Sequence, residues 1–153
     1  MSVKDFNSTR VEIRVMNDAD LDATTAIDGM HFGVERPEYY RDRLQAPTRG
    51  GGINTSLEAE LDGVVVGFTM GQLYTGEFGI PEKVAYLDTV GVHAMVVGKG
   101  TANMLLDQFC LQMSKLGVSS LYTLADWKDK NLMLFSHRGG FVPWKHLSLE
   151  LNL

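Results

Sequence analysis

Residue type and spacing carry the most chemistry in Gly98-Lys99-Gly100-Thr101-Ala102. A strand-like run, Val90-Gly91-Val92, leads into a short loop, and a long amphipathic helix starts at once. The first turn of a helix presents N–H groups without partners and a partial positive charge. Glycine lets the backbone come close to a bound group and adopt positive φ. Together these make a site suited to a phosphate or diphosphate. Lys99 adds one charge. The same glycines also suit a plain tight turn that packs the helix on a sheet. The segment is not a P-loop, because Gly-Lys-Ser/Thr is absent. It is not the G-x-G-x-x-G dinucleotide fingerprint, because residue 103 is Asn.

Other reactive residue types offer less. The four histidines, His31, His93, His137 and His146, are scattered and show no metal-ligand spacing, so no metal is expected. Cys110 is the single cysteine, and the helical pattern places it on or near the core side as a buried thiol. It has no cysteine partner for an internal disulfide, which suits a reducing compartment such as the cytoplasm.

The elements that must hold the loop follow from periodicity. Val11, Ile13 and Val15 alternate with polar residues, as in a half-buried strand. Asn17 or Asp18 caps a helix running to about Met30, and a second helix starts at Pro37 and turns Tyr40 and Leu44 inward. Pro47 to Gly52 is expected as a flexible loop. Leu57 to Leu61, the Asp62-Gly63 turn and Val64 to Leu73 read as a hairpin. Lys83 to His93 is a further strand, with Val84, Tyr86, Asp88, Val90 and Val92 in phase. Ala102, Leu105, Leu106, Phe109, Met113 and Leu116 share one face of a helix over 101–117. Val118 to Ala125 is a strand, Asp129 to Arg138 a short helix, and Leu147, Leu149 and Leu151 mark a final strand. The order β-α-α-β-β-β-α-β-α-β gives a mixed α/β (α+β) domain over 1–153, its sheet mostly antiparallel and flanked by helices.

Composition sets the outer bounds. The 153 residues are 44% hydrophobic and 22% charged, ordinary for a globular chain with a core. A net charge of −5 gives no basic excess, so nucleic acid is not an expected partner. No apolar run approaches the ~18 residues of a membrane helix. Met1 to Arg10 is polar and shows no secretory signal, which also points to the cytoplasm.

The element order and the glycine loop resemble the GNAT superfamily of acyl-CoA-dependent N-acyltransferases. The family loop is Arg/Gln-x-x-Gly-x-Gly/Ala, and residues 97–102 are Val-Gly-Lys-Gly-Thr-Ala. Gly100 and Ala102 match, Gly98 and Lys99 are common choices, and Val97 departs. A later family pattern, Asn-x6-Tyr-x3-Gly-Phe, meets Asp129, Ser136, Gly140 and Phe141. The Gly-Phe pair fits; Asp129 replaces Asn and Ser136 replaces Tyr. By element order the resemblance spans roughly 10–151, and its specific motifs cover about 90–141.

The resemblance implies transfer of an acetyl group from acetyl-CoA to a primary amine. Acetyl-CoA would lie along Val90 and Val92, with its phosphates on Val97, Gly98, Lys99, Gly100, Thr101 and Ala102 and with Asp129 alongside. The attacking amine must be neutral, so a base near neutrality is needed. Asp88 holds the offset at which many members carry an acid. Its apolar row would raise its pKa, unless a solvated position or a bulge intervenes. Ser136 stands where a Tyr would protonate the leaving thiolate, although a hydroxyl of this kind is a poor acid. Tyr39 and Tyr40, with Glu35 and Arg36, fall where the family builds its acceptor wall, and Asp126-Trp127 lines the cleft or caps the core. Val97 and Ser136 leave open an acyl-CoA-binding module with weak or lost catalysis. An unrelated phosphate-ligand α/β domain is the third option. Relatives often form homodimers, and the terminal strand would offer an edge.

Overall fold

A computed structural model describes residues 10–49, 52–76 and 79–153. Most of the amino-terminal stretch and Gly50-Gly51 therefore lie outside the described residues. Five strands form one sheet in sequence order: β1 (Val11–Val15), β2 (Leu57–Leu61), β3 (Val64–Thr75), β4 (Lys83–Val92) and β5 (Ser120–Thr123). All neighbours are antiparallel except β4 and β5, which are parallel. The parallel pair requires a crossover, and α3 (Thr101–Lys115) supplies it. The other helices are α1 (Leu21–Phe32), α2 (Pro37–Arg49) and α4 (Lys130–Arg138).

Local sequence explains the element ends. Asn17 and Asp20 form a capping box on a 3-10 turn that feeds α1. Asp62 and Gly63, with φ of 51° and 82°, make the tight turn between β2 and β3. α2 continues through Pro47 to Arg49, where a flexible loop was expected. Pro47 stands in the last turn of α2, and its carbonyl accepts from Gly52 N at 2.8 Å.

Two clusters of buried side chains cover the two faces of the sheet. Leu105, Leu106, Phe109 and Met113 of α3 pack on Leu57, Ala59, Leu61, Ala85 and Leu87. Gly71 permits this approach, because a Cβ there would stand 2.4 Å from the Phe109 ring. Ile27 of α1 and Tyr40 and Leu44 of α2 pack with Phe68 and Met70 on the opposite face.

The row through β4 is not continuous. Leu87 packs in the α3-side cluster, and so does Val92. An odd separation cannot share a face at period two. A register shift between β3 and β4, at Met70/Gly71 opposite Leu87–Thr89, supplies the missing residue. Val84 and Tyr86 are thus out of phase with Val90 and Val92, contrary to expectation.

Two further expectations are corrected. Cys110 is exposed, because it falls one position beyond the buried Phe109 on α3. Residues 141–153 form neither helix nor strand, and Leu147, Leu149 and Leu151 lie on the surface. The expected order therefore holds as far as α4 and lacks its last strand. No helix among the described residues is long and apolar enough to cross a membrane.

Candidate active site

β5 stops pairing with β4 at Leu87↔Thr123, while β4 runs on to Val92. The edge of β4 from Asp88 to Val92 therefore faces a gap instead of a strand. The gap is a cleft of about 690 Å3, with β4 on one side and Thr123, Leu124 and α4 on the other. The amino-terminus of α3 closes one end, and His31 and Phe32 of α1 reach the rim. His31 Nε2 lies 3.0 Å from the Val92 carbonyl oxygen.

The α3 terminus has the features of an anion site. Gly98 and Gly100 adopt φ of 76° and 87°, in the left-handed region that a Cβ disfavours. Gly100 is the N-cap residue, and no side chain caps the helix. The N–H groups of its first turn have no intrahelical partner by geometry. Thr101 Oγ1 is buried and has no hydrogen-bond partner among the described residues. An orphaned buried hydroxyl is costly and marks a position that a ligand can satisfy. Gly98, Gly100, Thr101, Ala102 and Val97 all line the cleft.

The sheet side of the cleft carries Asp88. Its carboxylate is ion-paired with Arg43 of α2. Asp88 therefore has a cationic partner in place of the apolar surround expected for it.

α4 supplies the remaining wall. Asp129 is its N-cap and accepts from Asn131 N and Leu132 N at 3.1 and 3.0 Å. Ser136 lines the cleft, but its hydroxyl donates to the Leu132 carbonyl at 2.8 Å. Its proton is thus committed one turn back along the helix.

Sequence comparison decides the family. The profile of the Acetyltransferase (GNAT) family matches residues 19–139. The chain belongs to the GNAT family. It is an acetyl-CoA-dependent acetyltransferase whose acceptor is an amine. No curated protein matches the chain in sequence.

Solved GNAT-like structures repeat the fold. A ribosomal-protein-alanine N-acetyltransferase from Brucella melitensis biovar Abortus 2308 superimposes with a TM-score of 0.73 at 17% identity, over 94% of this chain and 99% of that one. An aminoglycoside N-acetyltransferase in complex with CoA gives 0.76 at 15% identity, over 93% and 94%. Ard1 from Thermoplasma volcanium gives 0.73 at 18%, over 87% and 83%.

Against the GNAT pattern, the cleft gathers Asp88, Val90, Val92, Val97, Gly98, Gly100, Thr101, Ala102, Asp129 and Ser136. Lys99, Asp126, Trp127, Tyr39 and Tyr40 are not among its lining. Tyr40 is a correction. It is wholly buried, and its hydroxyl donates to Asp28 Oδ1 at 2.6 Å. Burial first, then this bond, hold the phenol above its usual range. Tyr40 thus ties α2 to α1 through Asp28 and does not reach the cleft. Tyr39 is exposed and stacks edge-on against it, with Arg36 and Arg43 over its ring. Trp127 is exposed and caps no core.

Arg43 and Thr89 do not stand out in the sequence, and His31 does so only as one of four scattered histidines. Arg43 carried a usable signal, since it stands one helical turn beyond Tyr39 and Tyr40. His31 and Thr89 carried none. Clusters of three or more metal-ligating side chains do not occur among the described residues.

Proposed function

We propose that the α3 terminus holds the diphosphate of acetyl-CoA while Asp88 takes the proton of a primary amine entering past α1 and α2. The observation that carries this reading is the pairing of two features in one cleft. One is the uncapped helix start with its orphaned Thr101 hydroxyl. The other is the carboxylate on the opposite strand.

The chemistry follows from the two ends. The open edge of β4, from Asp88 to Val92, offers backbone groups to an elongated ligand lying between β4 and α4. Such a ligand, anchored by its diphosphate, brings its thioester toward Asp88. The amine nitrogen attacks the thioester carbonyl carbon, the carbon–sulfur bond breaks, and the amine proton passes to the carboxylate. The departing thiolate takes a proton from water, because Ser136 has none to give. Val97 stands where the family has Arg or Gln and adds no side-chain donor, so backbone amides carry the phosphate contacts.

Ser136 favours a second reading, an acyl-CoA-binding module that turns over slowly. One experiment separates the two. Free-thiol release from acetyl-CoA is assayed across primary amines of small-molecule, aminoglycoside and peptide amino-terminal type. Release that depends on an amine and falls in Asp88→Asn supports the enzyme. Saturable binding with no release above the amine-free rate supports the module.

A further inference from the structure

One arginine of the chain differs from the rest. The sequence has seven, and each of the other six lies within ion-pair distance of a carboxylate. Arg138 has no hydrogen bond, ion pair or ring contact among the described residues. It is exposed in the last turn of α4 and lines the cleft. Its charge does not serve the carboxylates of that lining. Asp28 and Asp88 have arginines of their own, and Asp129 caps α4 at the far end. A guanidinium is charged at every physiological pH, and its fork of donors fits a phosphate.

The position of Arg138 indicates which phosphate. Asn131, Leu134 and Arg138 recur at three-and-four spacing, so they share one face of α4, and all three line the cleft. Ser136 lies on another face, because a step of two residues turns the helix by about 200°. The cleft thus touches α4 on two sides. The end of α4 that carries Arg138 lies beside the first turns of α3. A Cβ on Gly139, the next residue, would stand 2.6 Å from the Leu106 side chain. Leu106 is one turn along α3 from Ala102.

Coenzyme A carries two separate anionic groups. The diphosphate takes the amides at the start of α3. The second group is a phosphomonoester on the 3′ carbon of the adenosine ribose, one sugar away from the diphosphate. It needs a countercharge of its own near α3, and Arg138 is the arginine left unpaired there. We propose that Arg138 binds the ribose 3′-phosphate of acetyl-CoA and makes the protein select CoA over dephospho-CoA. The inference rests on the diphosphate reading of the α3 terminus. The monoester takes no part in acyl transfer, so Arg138 sets the choice of cosubstrate and leaves the chemical step alone.

The test is calorimetric titration of the full chain with CoA, dephospho-CoA and pantetheine. The native protein should bind CoA at least about tenfold more tightly than dephospho-CoA. In Arg138→Gln that ratio should shrink to within about twofold, while the Kd for dephospho-CoA stays unchanged. Arg138→Lys keeps the charge without the fork and should give a ratio between the two. The side chain is exposed, so both variants should melt with the native protein. Equal native affinities for CoA and dephospho-CoA overturn the proposal, yet the diphosphate site stands if both bind more tightly than pantetheine. A ratio that survives in Arg138→Gln overturns it as well. So does an equal loss for both nucleotides in a variant that melts normally, since that puts the guanidinium on the diphosphate. Pantetheine binding as tightly as CoA overturns this proposal and the diphosphate reading together.

Discussion

Arg43 of α2 forms an ion pair with Asp88 of β4, 45 residues away in the chain. The pair ties α2 to β4 at the carboxylate that lines the cleft. Asp88→Asn keeps the shape and removes the proton acceptor. Its kcat should fall by about 10²–10⁴, with the KM for acetyl-CoA changed by no more than a few-fold. Arg43→Ala should lower kcat less, by roughly tenfold, since it frees the carboxylate without removing it. Steady-state kinetics on both variants checks the order.

Thr101→Val should move stability and binding in opposite directions. The Oγ1 hydroxyl is buried without a partner, so its removal should stabilise the free protein by roughly 1 kcal/mol. The donor that the proposed diphosphate site gains from Thr101 is lost at the same time, so the Kd for acetyl-CoA should rise about tenfold. Thermal melts without ligand, and titration calorimetry with it, give the two signs.

Glu58 makes stability depend on pH. It is wholly buried on β2, its Oε1 accepts from Thr24 Oγ1 at 2.6 Å, and its Oε2 has no partner among the described residues. Desolvation pushes its carboxyl from the ordinary 4.5 up to about 8. The folded chain therefore holds this proton more tightly than the unfolded chain. The stabilisation is complete below about pH 4.5 and is lost as pH rises toward 8. The loss should be on the order of a few kcal/mol. Glu58→Gln should flatten the dependence across that interval, as followed by urea unfolding at a series of pH values.

Much of this architecture could be read from residue patterns, and the failures share a cause. The α3 face, the Asp62-Gly63 turn and the glycine loop depend on neighbours within a few residues, so periodicity and glycine placement expose them. Cys110 and Phe109 differ by one helical step of about 100°; the pattern located the stripe but not its edge. The Asp88–Arg43 pair and the β4 bulge arise from contacts between distant elements, which no local window contains. The leucines of the tail alternate as in a strand, but alternation supplies no partner backbone, and residues 141–153 form no strand.

Tyr40→Phe separates a buried brace from a cleft residue. Asp28 is buried and accepts from Tyr40 Oη and from Arg36 Nε and Nη2. Removing the hydroxyl leaves a buried carboxylate oxygen short of one donor, which should cost roughly 1–3 kcal/mol of stability. The KM for the acceptor should stay within about twofold, because Tyr40 does not reach the cleft. A Tyr39→Ala variant should show the reverse balance, with little change in stability and a raised acceptor KM.

Amide resonances give the most direct view of the α3 terminus. CoA and pantetheine, which lacks the diphosphate, are each titrated into the labelled protein. With CoA, the signals of Gly98, Gly100, Thr101, Ala102 and Asn103 should move furthest, and pantetheine should bind at least about 100-fold more weakly. If CoA binds while those five signals stay in place, or if pantetheine binds equally well, the diphosphate is not held by this helix start and the account is wrong.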